Sequence, residues 1–239
     1  MTELLNVRNL TARHGQLPAV REVSLTIGRG EVLALVGANG AGKSTLLRAI
    51  AGVHPIGGGT VHFDGSDITR LPADRRVAAG IALVPEGRRL FPEMTVEENL
   101  RVARSRPGGW ELEMVLEAFP MLRQALRRRA STLSGGEQQS TAIARALLTN
   151  PRLLLIDEVS LGLSPVATEA VYKSLDRLIR AGTTLVLVEQ DLGRAMSVAD
   201  RIVCLRDGRV ALTAHAGAVT REEVTEAYFG LGKPTAVRS

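Results

Sequence analysis

Gly37-Ala38-Asn39-Gly40-Ala41-Gly42-Lys43-Ser44 stands between an apolar run, Val32-Leu33-Ala34-Leu35-Val36, and a helical pattern over residues 44–51. Glycine, lysine and serine occupy every fixed position of a phosphate-binding loop, and the strand–loop–helix context is the one such a loop requires. The glycines let the backbone wrap closely, so that its N–H groups point at phosphate oxygens. The N-terminus of the following helix adds a field that favours an anion. In this reading Gly37, Ala38, Asn39, Gly40, Ala41, Gly42, Lys43, Ser44 and Thr45 contact a nucleotide. Lys43 reaches the β- and γ-phosphates, and Ser44 offers its hydroxyl to Mg²⁺.

A second stretch, Leu153-Leu154-Leu155-Ile156-Asp157-Glu158, places two acids after four apolar residues. That pattern describes a buried strand with carboxylates at its C-terminal end, where open α/β sheets bind their ligands. Asp157 is positioned to hold Mg²⁺, and Glu158 to act as general base on the attacking water. Many buried strands end in an acid; the upstream phosphate loop is what gives this one meaning.

The rest of the chain supplies the frame. Residues 4–10, 23–27, 31–36 and 81–84 read as strands, and Val61-His62-Phe63 runs into the turn signal Asp64-Gly65. Thr95-Val96-Glu97-Glu98 has the form of a capping box. Pro107-Gly108-Gly109 breaks the helical pattern, which resumes over 111–126 with an interruption near Pro120. Strands at 152–156 and 183–189 alternate with helices at 166–180 and 192–199. A hairpin over 202–212 turns at Asp207-Gly208, and a helix over 221–229 stops at Gly230. Such alternation predicts an α/β fold with a largely parallel sheet and helices on both faces.

Composition narrows the class. The chain has 239 residues, 45% of them hydrophobic, enough for one well-buried domain. A net charge of +5 is ordinary surface charge, and Arg127-Arg128-Arg129 reads as a solvated helix end, so nucleic acid is not an expected partner. Cys204, the single cysteine, sits in the apolar run Ile202-Val203-Cys204-Leu205 and reads as a core residue; a reducing compartment fits. The N-terminus lacks the pattern of a secretory signal, and no apolar run is long enough to cross a bilayer. Any membrane role is expected to come through a partner.

A third stretch, Leu133-Ser134-Gly135-Gly136-Glu137-Gln138-Gln139, makes the reading specific. Ser134 and the Gly135-Gly136 backbone cap a helix whose N-terminus can face a γ-phosphate. Together with the two stretches above it resembles the signature sequence of ABC-type ATPases, and the resemblance runs from about residue 4 to 230. It implies a P-loop NTPase fold with a RecA-like core, an antiparallel β subdomain and an inserted helical subdomain at about 90–150, all within a single ATPase domain over 1–239. It also implies ATP and Mg²⁺, and a dimer in which Ser134, Gly135, Gly136 and Glu137 of one subunit complete the nucleotide site of another.

Several positions depart from that family's usual pattern. His14, in Arg13-His14-Gly15, stands where an aromatic residue stacks on adenine. Glu86, in Val84-Pro85-Glu86-Gly87-Arg88-Arg89, replaces a glutamine that senses Mg²⁺; it can still ligate a cation. Gln190, in Val188-Glu189-Gln190-Asp191, replaces the switch histidine, and Ser164 and Val159 replace an aspartate and a proline near Glu158. A glutamine can donate a hydrogen bond to the γ-phosphate but cannot take up a proton.

Taken together, Pro-Glu-Gly-Arg-Arg, Leu-Ser-Gly-Gly-Glu-Gln-Gln, Ser-Leu-Gly-Leu and Val-Glu-Gln resemble the smaller ATPase of high-affinity branched-chain amino acid importers. The compact C-terminus ending near Ala227-Tyr228-Phe229-Gly230 is similar to that branch too. The resemblance implies a peripheral subunit on the cytoplasmic face of the cell membrane. Its partners would be a second ATPase, identical or sister, two integral membrane permeases and, indirectly, an external solute-binding protein. Related importers carry urea or short amides. A soluble ABC ATPase without transport, or an ATP-regulated binding module with little catalysis, are the rival readings. No coiled coil, tandem copy or Asn-Lys-x-Asp motif supports a repair ATPase or a GTPase.

Overall fold

The structure, a computed structural model, describes residues 2–103 and 109–231. Its first two strands, β1 (Glu3–His14) and β2 (Leu17–Gly28), form an antiparallel hairpin turning at Gly15. β3 (Val32–Val36) is buried at every position and leads through the phosphate-binding loop into α1 (Lys43–Ile50). β4 (Gly58–Phe63) and β5 (Ser66–Asp67) turn at Asp64-Gly65, and β4 pairs back onto β1. After α2 (Ala73–Ala79) comes β6 (Ile81–Val84).

The chain between β6 and β7 (Leu153–Ile156) is helical: α3 (Val96–Arg101), α4 (Leu112–Ala118), α5 (Pro120–Ala125) and α6 (Gly135–Leu147). The remainder alternates: α7 (Pro165–Arg180), β8 (Leu185–Val188), α8 (Leu192–Val198), β9 (Arg201–Arg206), β10 (Arg209–His215) and α9 (Arg221–Phe229).

Two sheets result. One has the order β2-β1-β4-β5 and is antiparallel. The other has the order β10-β9-β3-β8-β7-β6, parallel except for its edge strand β10. The uninterrupted apolar strands of the second sheet serve two cores at once, because successive side chains point to opposite faces. Val32, Ala34 and Val36 pack with the helices α3 to α8, whereas Leu33 and Leu35 pack with α1 and the first sheet.

The element boundaries differ from expectation where local signals were ambiguous. The first strand runs on to His14, and the expected strand at 183–189 shrinks to Leu185–Val188, which leaves Glu189 and Gln190 in a loop. The helix expected over 111–126 splits at Phe119, the residue before Pro120, because proline disfavours helical geometry just ahead of it. The capping box at Thr95 forms, with Thr95 Oγ1 accepting from Glu98 N–H at 3.2 Å and Glu98 Oε2 accepting from Thr95 N–H at 2.8 Å. Pro107 and Gly108 lie outside the described residues. α2 was not expected, although Gly80 closes it in the left-handed conformation. Its one buried side chain is Arg76, whose guanidinium donates to the carbonyls of Ala49, Ile50, Leu71 and Thr69 at 2.8–2.9 Å. Two of those carbonyls end α1, so the arginine caps the phosphate-loop helix and meets its dipole.

Candidate functional site

β8 lies between β3 and β7, with β6 on the far side of β7 and β9 beside β3. The loops after β3, β8, β7 and β6 therefore leave neighbouring strands at the same end of the sheet, and they carry the phosphate loop, Gln190, Asp157-Glu158 and Glu86. They open onto a cleft of about 430 Å³. His14, Asn39, Gly40, Gly42 to Thr45, Glu86, Glu158 and Gln190 line it.

Two of the loop glycines are required by close approach. At Gly37, φ +145°, a Cβ would stand 2.2 Å from the Leu205 carbonyl; at Gly42, φ +100°, it would stand 2.2 Å from that of Ala19. The neighbours β9 and β2 thus press on the loop and set its curvature. Inside it, the Lys43 ammonium donates to Gly37 O at 2.7 Å and Ala38 O at 2.9 Å. Burial pulls Lys43 below the ordinary lysine range, while Glu158 and Asp157 favour its charged form. Gly37, Ala38 and Ala41 sit behind this surface rather than in the cleft.

Ser44 Oγ donates to Asp157 Oδ1 at 2.7 Å. The other oxygen, Oδ2, is buried and has no hydrogen-bond partner among the described residues. Arg48 Nη2 stands 3.6 Å from it and 3.9 Å from Glu86 Oε2. Burial raises the Asp157 pKa, and the Ser44 hydrogen bond and Arg48 offset part of that. A buried carboxylate oxygen that accepts no hydrogen bond, beside a serine hydroxyl, suits a hard divalent cation. No cluster of three His, Cys, Asp or Glu exists among the described residues. A cation held here therefore takes its remaining ligands from phosphate and water, as Mg²⁺ does.

Glu158 has φ +58°, a left-handed conformation that a glutamate adopts only when its surroundings enforce it. Val159 N–H donates to Val188 O at 3.3 Å, and Val159 is itself buried in the core. Proline at 159 could not make that bond. Burial raises the Glu158 pKa, and Gln190 Nε2, donating to Glu158 Oε2 at 2.8 Å, opposes the shift. His14 Nε2 is 3.0 Å from Thr45 Oγ1, and its ring centroid is 4.7 Å from that of His54.

The stretch 134–137 does not line this cleft. Ser134 caps α6 in a reciprocal box with Glu137: Ser134 N–H donates to Glu137 Oε2 at 2.8 Å and Glu137 N–H to Ser134 Oγ at 3.3 Å. Gly136 lets α6 approach α7, since a Cβ there would lie 2.9 Å from that of Ala167.

Comparison with known proteins gives this geometry a family. A family model described as "ABC transporter" matches residues 20–160. The chain belongs to the ABC transporter family. The high-affinity branched-chain amino acid transport ATP-binding protein BraG of Pseudomonas aeruginosa is 39% identical, over 95% of this chain and 100% of that one. The probable branched-chain amino acid transport ATP-binding protein LivF of Archaeoglobus fulgidus is 36% identical, over 93% and 97%. Among solved structures, a dimeric post-hydrolysis state of an ATP-binding cassette bound to ADP and Pi is 29% identical with a TM-score of 0.77, covering 89% of this chain and 99% of that one.

This ABC chain is accordingly an ATPase, with an ABC ATP-binding fold. Sequence reading did not find Arg48, although its place one helical turn after Ser44 puts it on the same face of α1 and so is legible. It also missed Glu189, whose only sequence signal is an acid directly after an apolar strand.

Proposed function

We propose that this chain is the ATP-hydrolysing motor subunit of an ABC importer for branched-chain amino acids. The observation that supports this most is the meeting of Lys43, the Ser44–Asp157 pair and the Glu158–Gln190 pair in one cleft. The substrate class follows from BraG and LivF, each matched over nearly its whole length.

Phosphoryl transfer to water needs positioning and charge stabilisation more than covalent chemistry. In the proposed cycle Lys43 exchanges its two carbonyl partners for β- and γ-phosphate oxygens. Ser44 and Asp157 would hold Mg²⁺, with Glu86 beside them and Arg48 balancing the two acids. Bound there, Mg²⁺ would neutralise charge on the phosphates. Glu158 accepts a proton from the attacking water; its raised pKa brings it nearer the working pH of a general base. Gln190 orients that carboxylate and has a second amide N–H for the γ-phosphate. His14 offers a ring to adenine.

Residues 134–137 lie outside the cleft of their own chain, which accords with Ser134, Gly135, Gly136 and Glu137 serving a second ATPase subunit, identical or sister. A groove of about 360 Å³ runs between the loop after β6 and α6, with Val77, Phe91 and Val102 exposed along it and Arg88, Arg89 and Arg145 among its walls. We assign it to an apolar segment of a permease, with the chain then on the cytoplasmic face of the membrane. No helix among the described residues is long and apolar enough to cross a membrane itself.

The test is a pull-down of tagged protein from gently solubilised native membranes. It is followed by ATP-driven leucine uptake in vesicles reconstituted from what is recovered. Two permeases, a second ATPase and uptake abolished by Glu158→Gln are expected. Recovery of soluble partners alone would overturn the importer reading, and uptake of urea or an amide in place of leucine would overturn the substrate.

A further inference from the structure

Glu189 follows β8 directly and is 2% exposed. Its carboxylate collects four donors. Oε1 accepts from Ser160 Oγ at 2.7 Å, Gln190 N–H at 3.0 Å and Asp191 N–H at 3.3 Å, and Oε2 accepts from Tyr172 OH at 2.6 Å. A buried carboxylate is tolerated only when its oxygens are satisfied in this way. Burial pushes the Tyr172 hydroxyl far above the ordinary tyrosine range, so it stays protonated and donates.

These partners belong to the two loops that carry the hydrolytic pair. Ser160 lies two residues beyond Glu158, and Gln190 follows Glu189 and donates to Glu158. Tyr172, on α7, adds a fixed point in the helix that leaves the Glu158 loop. Glu158 holds a backbone conformation that needs external support. Beside the Gln190–Glu158 bond itself and the weak backbone bond from Val159 to Val188, the Ser160–Glu189 bond ties the two loops together behind the hydrolytic pair.

We propose that Glu189 is a positioning residue for ATP hydrolysis: it binds the Glu158 loop to the Gln190 loop, so that base and amide meet in one fixed geometry and move together. A carboxylate suits this position because every group facing it donates. An amide would offer one acceptor oxygen, and its N–H donors would be satisfied only where Tyr172 turns its hydroxyl to accept. The proposal rests on the reading of Glu158 as the base.

The purified full-length chain with Mg²⁺-ATP serves as the test, with Ser160→Ala, Ser160→Thr, Tyr172→Phe, Glu189→Gln and the double variant Tyr172→Phe/Glu189→Gln. Melting temperature, affinity for a fluorescent ATP analogue, KM and kcat are measured for each. Ser160→Ala leaves the core intact, so it is informative even if a Glu189 variant fails to fold. We expect Ser160→Ala to lower kcat by roughly 10- to 100-fold, the range that misplacement of a catalytic group causes, while KM and nucleotide affinity stay within about twofold. Ser160→Thr keeps the hydroxyl and restores kcat. Glu189→Gln is milder than the double variant, in which the amide N–H has lost its acceptor. Unchanged kcat in Ser160→Ala, or a fall in kcat that tracks lost nucleotide affinity and melting temperature, would overturn the proposal. Glu158→Gln separates the two readings: if it keeps normal turnover, the assignment of the base fails. If it abolishes turnover while Ser160→Ala is unaffected, only the role of Glu189 fails.

Discussion

At the residue scale, Glu158 combines an enforced left-handed backbone with a half-buried carboxylate whose pKa is raised by desolvation. Both cost stability, and both accord with the proposed role of Glu158 as the base. Replacing it with glutamine keeps size and the Gln190 contact surface but removes the basic oxygen. We expect ATP binding to persist and steady-state phosphate release to fall by roughly 10²- to 10⁴-fold, the usual worth of general-base catalysis. Cys204 illustrates the opposite case. It is buried in β9, and burial pushes its thiol up to about 11. A raised thiol pKa depletes the thiolate at pH 8, and burial denies access. Native protein is therefore expected to resist maleimide at pH 8 and to label fully in denaturant; rapid native labelling would contradict the packing. Lys43, Ser44, Asp157 and Glu158 were legible because the chemistry demands those types at fixed spacing from a strand end. Tyr172 was not, because nothing local distinguishes it from a core residue, whereas Arg48 and Glu189 carry only the weak signals of a helix face shared with Ser44 and of an acid after an apolar strand.

At the element scale, start and stop signals were read well wherever a side chain closes its own helix. Thr95, expected to open a capping box, and Ser134, expected to cap a helix, both pair with the glutamate three residues on, and Thr220 forms a third box that was not expected. Such signals are local, so they survive in the sequence. α2 is the contrary example. It is short and anchored by a charged residue, so no apolar periodicity or side-chain cap marks it, and its one local signal is the closing Gly80. Arg76 holds it to the end of α1 through four carbonyls. Arg76→Ala would leave buried carbonyls unpaired and is expected to cost about 3 kcal/mol. For a chain of this size that is a fall of roughly 6–12 °C in Tm by calorimetry. A change under about 1 °C would show that the cap contributes nothing. Because α1 carries Lys43 and Ser44 at its start, weaker nucleotide binding is expected alongside.

At the scale of the whole molecule, the cleft gathers Glu158, the Ser44–Asp157 pair and Lys43 but is not lined by residues 134–137 of its own chain. On the proposed function, a second ATPase subunit supplies those residues. With Glu158→Gln and Mg²⁺-ATP, light scattering is expected to report a dimer if the chain pairs with itself. Adding Ser134→Arg should dissolve that dimer without weakening ATP binding to the monomer. A dimer that survives this change would remove residues 134–137 from the interface.

The phosphate loop, the acidic pair after β7 and the capping boxes were determined by the sequence itself, because each acts through neighbours within a few residues. Only the tertiary structure decided that β8 lies between β3 and β7. Strand order is set by which buried faces pack across the sheet, and no local pattern records it. That order brings Gln190 onto Glu158 and makes Glu189 the junction of two loops distant in sequence. Val159 likewise found its reason in a bond to Val188 on that adjacent strand.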